Sequence, residues 1–236
     1  MATAAPAPAS EQQPVDTLIT GAVVVTMNEE REVFRDGAVA IDGRHVVAVG
    51  QTADVTARFR GKETIRGERF AVVPGMVNTH YHITGEPLTR GYVPDSTPFE
   101  ENVYVWLCQL YAVHGEADER LSAQLAAAEM LRSGTTSFLE AGTVRYVDAV
   151  VDGLLEAGIR GRIGRWVWDL PPEPEVYRQS TDEAIANLEA VLSQHRNHDD
   201  GRIQAWSMVV GHTACSDELW RAAAELGRSY DTGLNF

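Results

Sequence analysis

Apolar and polar positions follow two textures along this chain, with the change near residue 71. Up to residue 73, short β-branched runs are separated by turn residues. Residues 18–26 (LITGAVVVT), 37–41 (GAVAI) and 45–49 (HVVAV) each have strand length, and Asp42-Gly43 stands between the last two as a two-residue hairpin turn. The pattern predicts a small antiparallel β unit over 15–71, with three or four strands. So few strands bury little surface, so the unit is expected to pack on something else.

Beyond residue 71, strand-like runs alternate with amphipathic helical stretches. Strands are predicted at 71–79, 135–139, 160–168 and 203–210, and helices at 116–133, 144–157, 181–195 and 216–230. In the first of these helices, Leu121, Leu125, Ala128 and Leu131 form one apolar stripe. Ser216 is a plausible N-cap, with Asp217 and Glu218 in the first turn, where carboxylates oppose the positive helix end favourably. Gly134, Gly158 and Gly233 stand at helix-to-strand junctions, where a left-handed residue closes a helix. Strands alternating with helices imply a parallel α/β sheet with crossover helices, either doubly wound or a barrel.

Composition narrows the function classes. The 236 residues are 44% hydrophobic and 23% charged, which excludes disorder over the whole length. Acidic residues outnumber basic ones by 34 to 20, a net charge of -14, so the global field repels phosphate backbones and anionic lipid surfaces. Neither a nucleic-acid nor a membrane partner is expected, and no apolar run approaches the roughly 18 residues of a membrane span. Cys108 and Cys215 are far apart, outside any metal or thiol-exchange spacing, and read as two reduced thiols. Residues 1–14 read as a flexible Pro/Ala tail rather than a secretory signal, and the expected location is cytoplasmic.

The stretch that carries chemistry is VPGMVNTHYH, residues 73–82. Side chains at i and i+2 of a strand point the same way, so His80 and His82 project together from a strand's C-terminal end. Two imidazoles so placed can hold one metal ion, and the C-terminal ends of parallel strands are where α/β folds keep their active sites. Alone, an H-x-H pair is weak evidence. Its setting after Pro74-Gly75, behind a β unit and at the head of a βα series, strengthens it.

With these features the chain resembles the amidohydrolase superfamily, in the branch of cytosine, guanine and S-adenosylhomocysteine deaminases and triazine hydrolases. DGAVAIDGRHVVAVG is similar to that family's N-terminal β unit and VVPGMVNTHYH to its first barrel strand. LTRGY resembles its first loop, and AAAEMLRSGTTSFLEAG its first helix and second strand. The resemblance implies a (βα)8 TIM-type barrel with a small N-terminal β-sandwich unit. It also implies one divalent metal, zinc first and Fe2+ second, held by His80, His82, a fifth-strand histidine and an eighth-strand aspartate. No lysine lies in 203–210, where a carbamylated lysine would bridge two metals in other branches, so a single metal is favoured. A bound zinc ion lowers the pKa of water from 15.7 towards about 7 for attack on an sp2 carbon.

By the family's pattern the third histidine and the acid/base glutamate come beyond Phe236. The stretch from residue 72 falls well short of the about 250 residues of a whole barrel. The expectation is four βα units plus the start of a fifth strand over 72–236, poorly active alone. The substrate is expected to be a small amino-substituted heterocycle, deaminated at a carbon–nitrogen bond that is not a peptide. Ring dechlorination and cyclic-amide hydrolysis stay open, as does a non-catalytic fragment. Open sheet edges would favour a homo-oligomer or a complementary half-barrel.

Lesser candidates are His212, just past the fourth strand, for substrate contact, and Glu140, as an acid behind a metal-bound histidine or simply a solvated loop acid. Tyr104, Trp106, Leu107, Leu110 and Tyr111 lie in the helical stretch 99–113 and would roof the site or merely pack on the rim. Trp166 and Trp168 share a parity, as core filling or as a stacking wall. His114 reads as a cation-compatible helix end. His45, His195 and His198 receive no role.

Overall fold

A computed structural model describes residues 12–170, 175–211 and 214–236, and the chain divides into two compact units, Met1–Pro74 and Gly75–Phe236. The expected tail lies outside the described residues as far as residue 11. Its last two residues already belong to the first strand.

The first unit is built on β1 (Gln13–Val25), β2 (Val33–Asp42) and β3 (His45–Gln51), followed by α1 (Thr52–Arg58), β4 (Phe59–Arg66) and β5 (Ala71–Val72). β1–β2 and β2–β3 are antiparallel, as the hairpin pattern predicts. The turn falls one residue later than expected: Asp42 pairs with His45, and Gly43 and Arg44 make the turn, with Gly43 at φ 55°. The sheet is also not purely antiparallel, because β4 and β5 both run parallel to β1. Parallel pairing requires a crossover connection. α1 supplies part of it and buries Val55 with Val15, Leu18, Ala38, Ala40 and Phe59.

The second unit is a βα series. β6 (Met76–Tyr81), α2 (Glu86–Thr89), a π-helical turn (Glu101–Leu107) running into α3 (Cys108–Ala112), and α4 (Glu116–Arg132) lead to β7 (Thr135–Glu140) and α5 (Val147–Ala157). Then come β8 (Arg160–Ile163), α6 (Thr181–Gln194), β9 (Ile203–Ala205), β10 (Ser207–Met208), α7 (Asp217–Ser229) and β11 (Leu234–Asn235). The parallel order is β6-β7-β8-β9, only Trp206 separates β9 from β10, and β10 pairs parallel with β11. Among the described residues this is an open run of strands in sequence order, not a closed barrel.

Three strands are shorter than the periodicity predicts. The run from 71 to 79 breaks around Pro74-Gly75, so Ala71–Val72 joins the first unit and Met76–Tyr81 the second. β8 stops at Ile163, and 164–169 continues without ladder pairing. Gly134 and Gly158 take φ of 85° and 80°, as expected of helix ends. Gly233 does not; after α7 it is Asp231 that turns left-handed, at φ 54°.

The core lies between the sheet and its helices. Met130 from α4, Phe138 from β7, Leu154 from α5, Ile163 from β8 and Ile203 from β9 share one buried cluster. The expected apolar stripe of α4 faces outward: Leu121, Leu125 and Leu131 are exposed, and Ala123, Ala126, Ala127 and Met130 are buried instead. Helix approach explains the reversal, because a Cβ on Gly153 of α5 would stand 3.0 Å from the Arg120 carbonyl oxygen. Only small side chains fit so close a seam.

Polar groups fix the helix starts. Ser216 caps α7 as predicted, its Oγ accepting from the Leu219 N–H at 3.2 Å. Ser180 and Glu183 form a reciprocal capping box at α6. Buried Glu119, on α4, accepts the Arg145 and Tyr146 N–H groups at 3.0 and 2.8 Å and so orders the start of α5.

Candidate functional site

His80 lies on β6 and His82 one residue past its end, and both line a cavity of about 910 Å³ at the C-terminal ends of the strands. The strand period brings them together as predicted. Their ring centroids are 5.1 Å apart, with the planes at 84°. Two imidazoles on one tetrahedral ion, at metal–nitrogen distances of about 2.0–2.1 Å, hold their centroids about 5 Å apart. The observed separation matches that value. Burial, with His80 beside it, pushes the His82 imidazole down to about 4, so the ring is neutral at pH 7, the form that binds metals. Its Nδ1 is buried with no hydrogen-bond partner. Among the described residues no third His, Cys, Asp or Glu joins the pair in ligating range.

The wall opposite is aromatic and apolar. Trp166 and Trp168 both line the cavity and are buried, so core filling and wall building coincide. Trp166 stacks on Tyr177 at 4.7 Å and meets Trp168 edge to face at 5.2 Å. The Trp168 Nε1–H donates to the Tyr177 carbonyl at 2.9 Å, whereas Trp166 Nε1 is buried without an acceptor. The helical stretch after residue 100 contributes Val103, Leu107, Cys108 and Tyr111. Trp106 is placed differently from the roofing expectation: it is 45% exposed and is not among the lining residues. Both cysteines are free and buried, and burial pushes the Cys108 thiol up to about 11.

Tyr111 reaches the wall because residue 85 is glycine. Gly85 has φ 77°, and a Cβ there would stand 2.3 Å from the tyrosine ring.

Glu140 is not a solvated acid. It is fully buried, with Oε2 accepting from the Gly142 N–H and Oε1 from the Thr143 N–H and hydroxyl, each at 2.7 Å. These bonds shape the loop Ala141, Gly142 and Thr143, which lines the cavity. Desolvation outweighs them and raises the carboxyl to about 7. His114 is buried too, and desolvation lowers its pKa, against the expectation of a helix-end cation. His212 lies outside the described residues. His195, given no role from sequence, is buried, with Nδ1 3.0 Å from His198 Nε2 and Nε2 3.1 Å from Asp148.

Sequence reasoning passed over Glu86, which lines the cavity at the start of α2. Its signal was available: an acid four residues after His82, inside the loop that a C-terminal strand end presents to the site. An acid in a helix's first turn has an ordinary explanation, and that masks it.

No helix among the described residues is long and apolar enough to cross a membrane. The Amidohydrolase family model matches residues 71–236. A 5-methylthioadenosine/S-adenosylhomocysteine deaminase of Halobacterium salinarum is 31% identical over 209 residues, covering 85% of this chain and 44% of that protein. Among solved structures, an adenosine deaminase from Xanthomonas campestris with bound zinc has a TM-score of 0.79 at 28% identity, covering 95% of this chain and 49% of its own. A triazine hydrolase from Arthrobacter aurescens has a TM-score of 0.80 at 22% identity, over 92% and 51%, a likeness of fold. The chain thus spans about half the length of the proteins it matches. With its H-x-H pair at the first strand end of a parallel βα series, the chain belongs to the amidohydrolase family.

Proposed function

We propose that this chain supplies the first half of a (βα)8 barrel that hydrolytically deaminates an amino-substituted heteroaromatic ring, with one divalent ion, zinc by preference. One observation carries the reading: two imidazoles with centroids 5.1 Å apart share the lining of one cavity with Trp166 and Trp168. Deaminase names among the relatives and zinc in a neighbour support it. His80 and His82 would hold the ion without cancelling its charge, since neither ring is an anion. When bound there, such an ion acidifies water enough for attack on an sp2 carbon at neutral pH.

The chain's other residues prepare the substrate side. Trp166 and Trp168 offer flat apolar surface to a ring and exclude water. Glu140 holds the loop at 141–143 in place beside the histidines. Two imidazoles alone bind an ion weakly, so turnover needs ligands and a proton carrier beyond the described residues of this chain. β6 pairs only with β7 among the described strands, and Met76 and Val77 are exposed. That edge would seat the complementary half, or a second copy.

A chimera tests the reading. Joining this chain to the C-terminal half of the Halobacterium salinarum deaminase should give zinc-dependent ammonia release from an adenosine-type substrate. His82→Ala should abolish it. Equal activity with and without His82 would contradict the proposal.

A further inference from the structure

The cavity's aromatic wall is backed by a side chain that the proposed chemistry does not use. Arg145 is half-buried, two residues before α5, and does not line that cavity itself. Its Nη2 donates to the His114 carbonyl at 2.6 Å and to the Tyr146 hydroxyl at 2.7 Å, and its Nη1 to the Ala112 carbonyl at 3.4 Å. These carbonyls close the helical stretch that brings Leu107, Cys108 and Tyr111 to the cavity. The same guanidinium stands 4.6 Å from the Tyr146 ring centroid and 5.6 Å from that of Tyr177, within cation–π reach of both. Tyr177 is buried and lies outside the lining, yet it stacks on Trp166, a lining residue, with the planes 12° apart. Trp166 in turn meets Tyr111 edge to face at 6.0 Å. One guanidinium therefore holds the roof helix by its end and the wall through Tyr177. Arginine suits both tasks, because its planar fork offers several donors at the edge and a flat cationic face.

We propose that Arg145 is a positioning residue for ring binding: through Tyr177 and the end of α3 it keeps Trp166 and Tyr111 at fixed places on the cavity wall. This rests on the ring-binding function proposed above and adds the residue that holds its wall. Arg145 acts through its neighbours and touches neither ring nor ion.

The full chain, supplemented with zinc, is titrated with adenosine in a calorimeter, and zinc binding is titrated separately. Arg145→Ala should weaken adenosine about tenfold and leave zinc affinity unchanged. Tyr177→Leu should weaken adenosine as much, whereas Tyr177→Phe, which keeps the stack, should bind it like the wild-type chain. Because both losses run through one contact, the double variant Arg145→Ala/Tyr177→Leu should be no weaker than either single one. Arg145→Lys should recover only part of the loss, since an ammonium has no planar face. If Arg145→Ala does not fold, Arg145→Lys and Tyr177→Leu carry the same comparison. A merely structural role would lower zinc and adenosine affinity together. That parallel loss, an unchanged adenosine affinity in Arg145→Ala, or additive losses in the double variant would overturn this inference and leave ring binding standing. Failure of adenosine to bind the wild-type chain would overturn both.

Discussion

Thr143 donates both its backbone N–H and its hydroxyl to one oxygen of Glu140, each at 2.7 Å, three residues apart at the rim of the cavity. The carboxyl is nonetheless raised from 4.5 to about 7 by burial. A folded-state pKa above the unfolded one gives stability that is full below about 4.5 and is lost as pH rises through about 7. Glu140→Gln removes that loss. Measured by urea unfolding, the variant should gain on the wild-type chain between pH 4.5 and 7, by up to about 3 kcal/mol. A difference that does not change with pH would refute the assignment.

Gly85 and Tyr111 should prove coupled. Alanine at 85 adds a left-handed residue and a Cβ 2.3 Å from the ring, so Gly85→Ala is expected to cost about 3 kcal/mol or more. Tyr111→Ala opens space, and the double variant should be more stable than the sum of the single losses implies. Thermal melts of the four proteins give the coupling energy; strict additivity would show that the contact is not the constraint.

Glu119 is expected to matter more than a helix-surface acid should. Glu119→Ala leaves the Arg145 and Tyr146 N–H groups without their acceptor, at a cost of about 2–3 kcal/mol. Amide exchange at the start of α5 should quicken in that variant. Exchange that quickened only at the end of α4 would point elsewhere.

The parts legible in the sequence are those with a strong local period. β2 and β3 read as strands from short β-branched runs set between turn residues, and His80 and His82 as a pair from their spacing of two. β4 escaped because FRGKETIR buries only Phe59 and so shows no alternation. The buried face of α4 escaped because hydropathy favours its leucines, whereas the seam against α5 has room only for small side chains. Glu86, Glu119 and Glu140 look like solvated acids in sequence. Glu119 and Glu140 are buried because backbone N–H groups converge on them, from two and three residues on for Glu140 and from 26 and 27 residues on for Glu119, which no local sequence pattern records. Glu86 is drawn into the site by its place in the loop after His82.

The central claim is that His80 and His82 together hold a divalent ion. X-ray absorption at the zinc edge, on the chain loaded with one equivalent of zinc, tests it most directly. The account predicts two imidazole nitrogens at about 2.0–2.1 Å with oxygen donors completing the shell, and loss of one imidazole in His80→Ala or His82→Ala. A spectrum that is the same in the wild-type chain and both variants would contradict it.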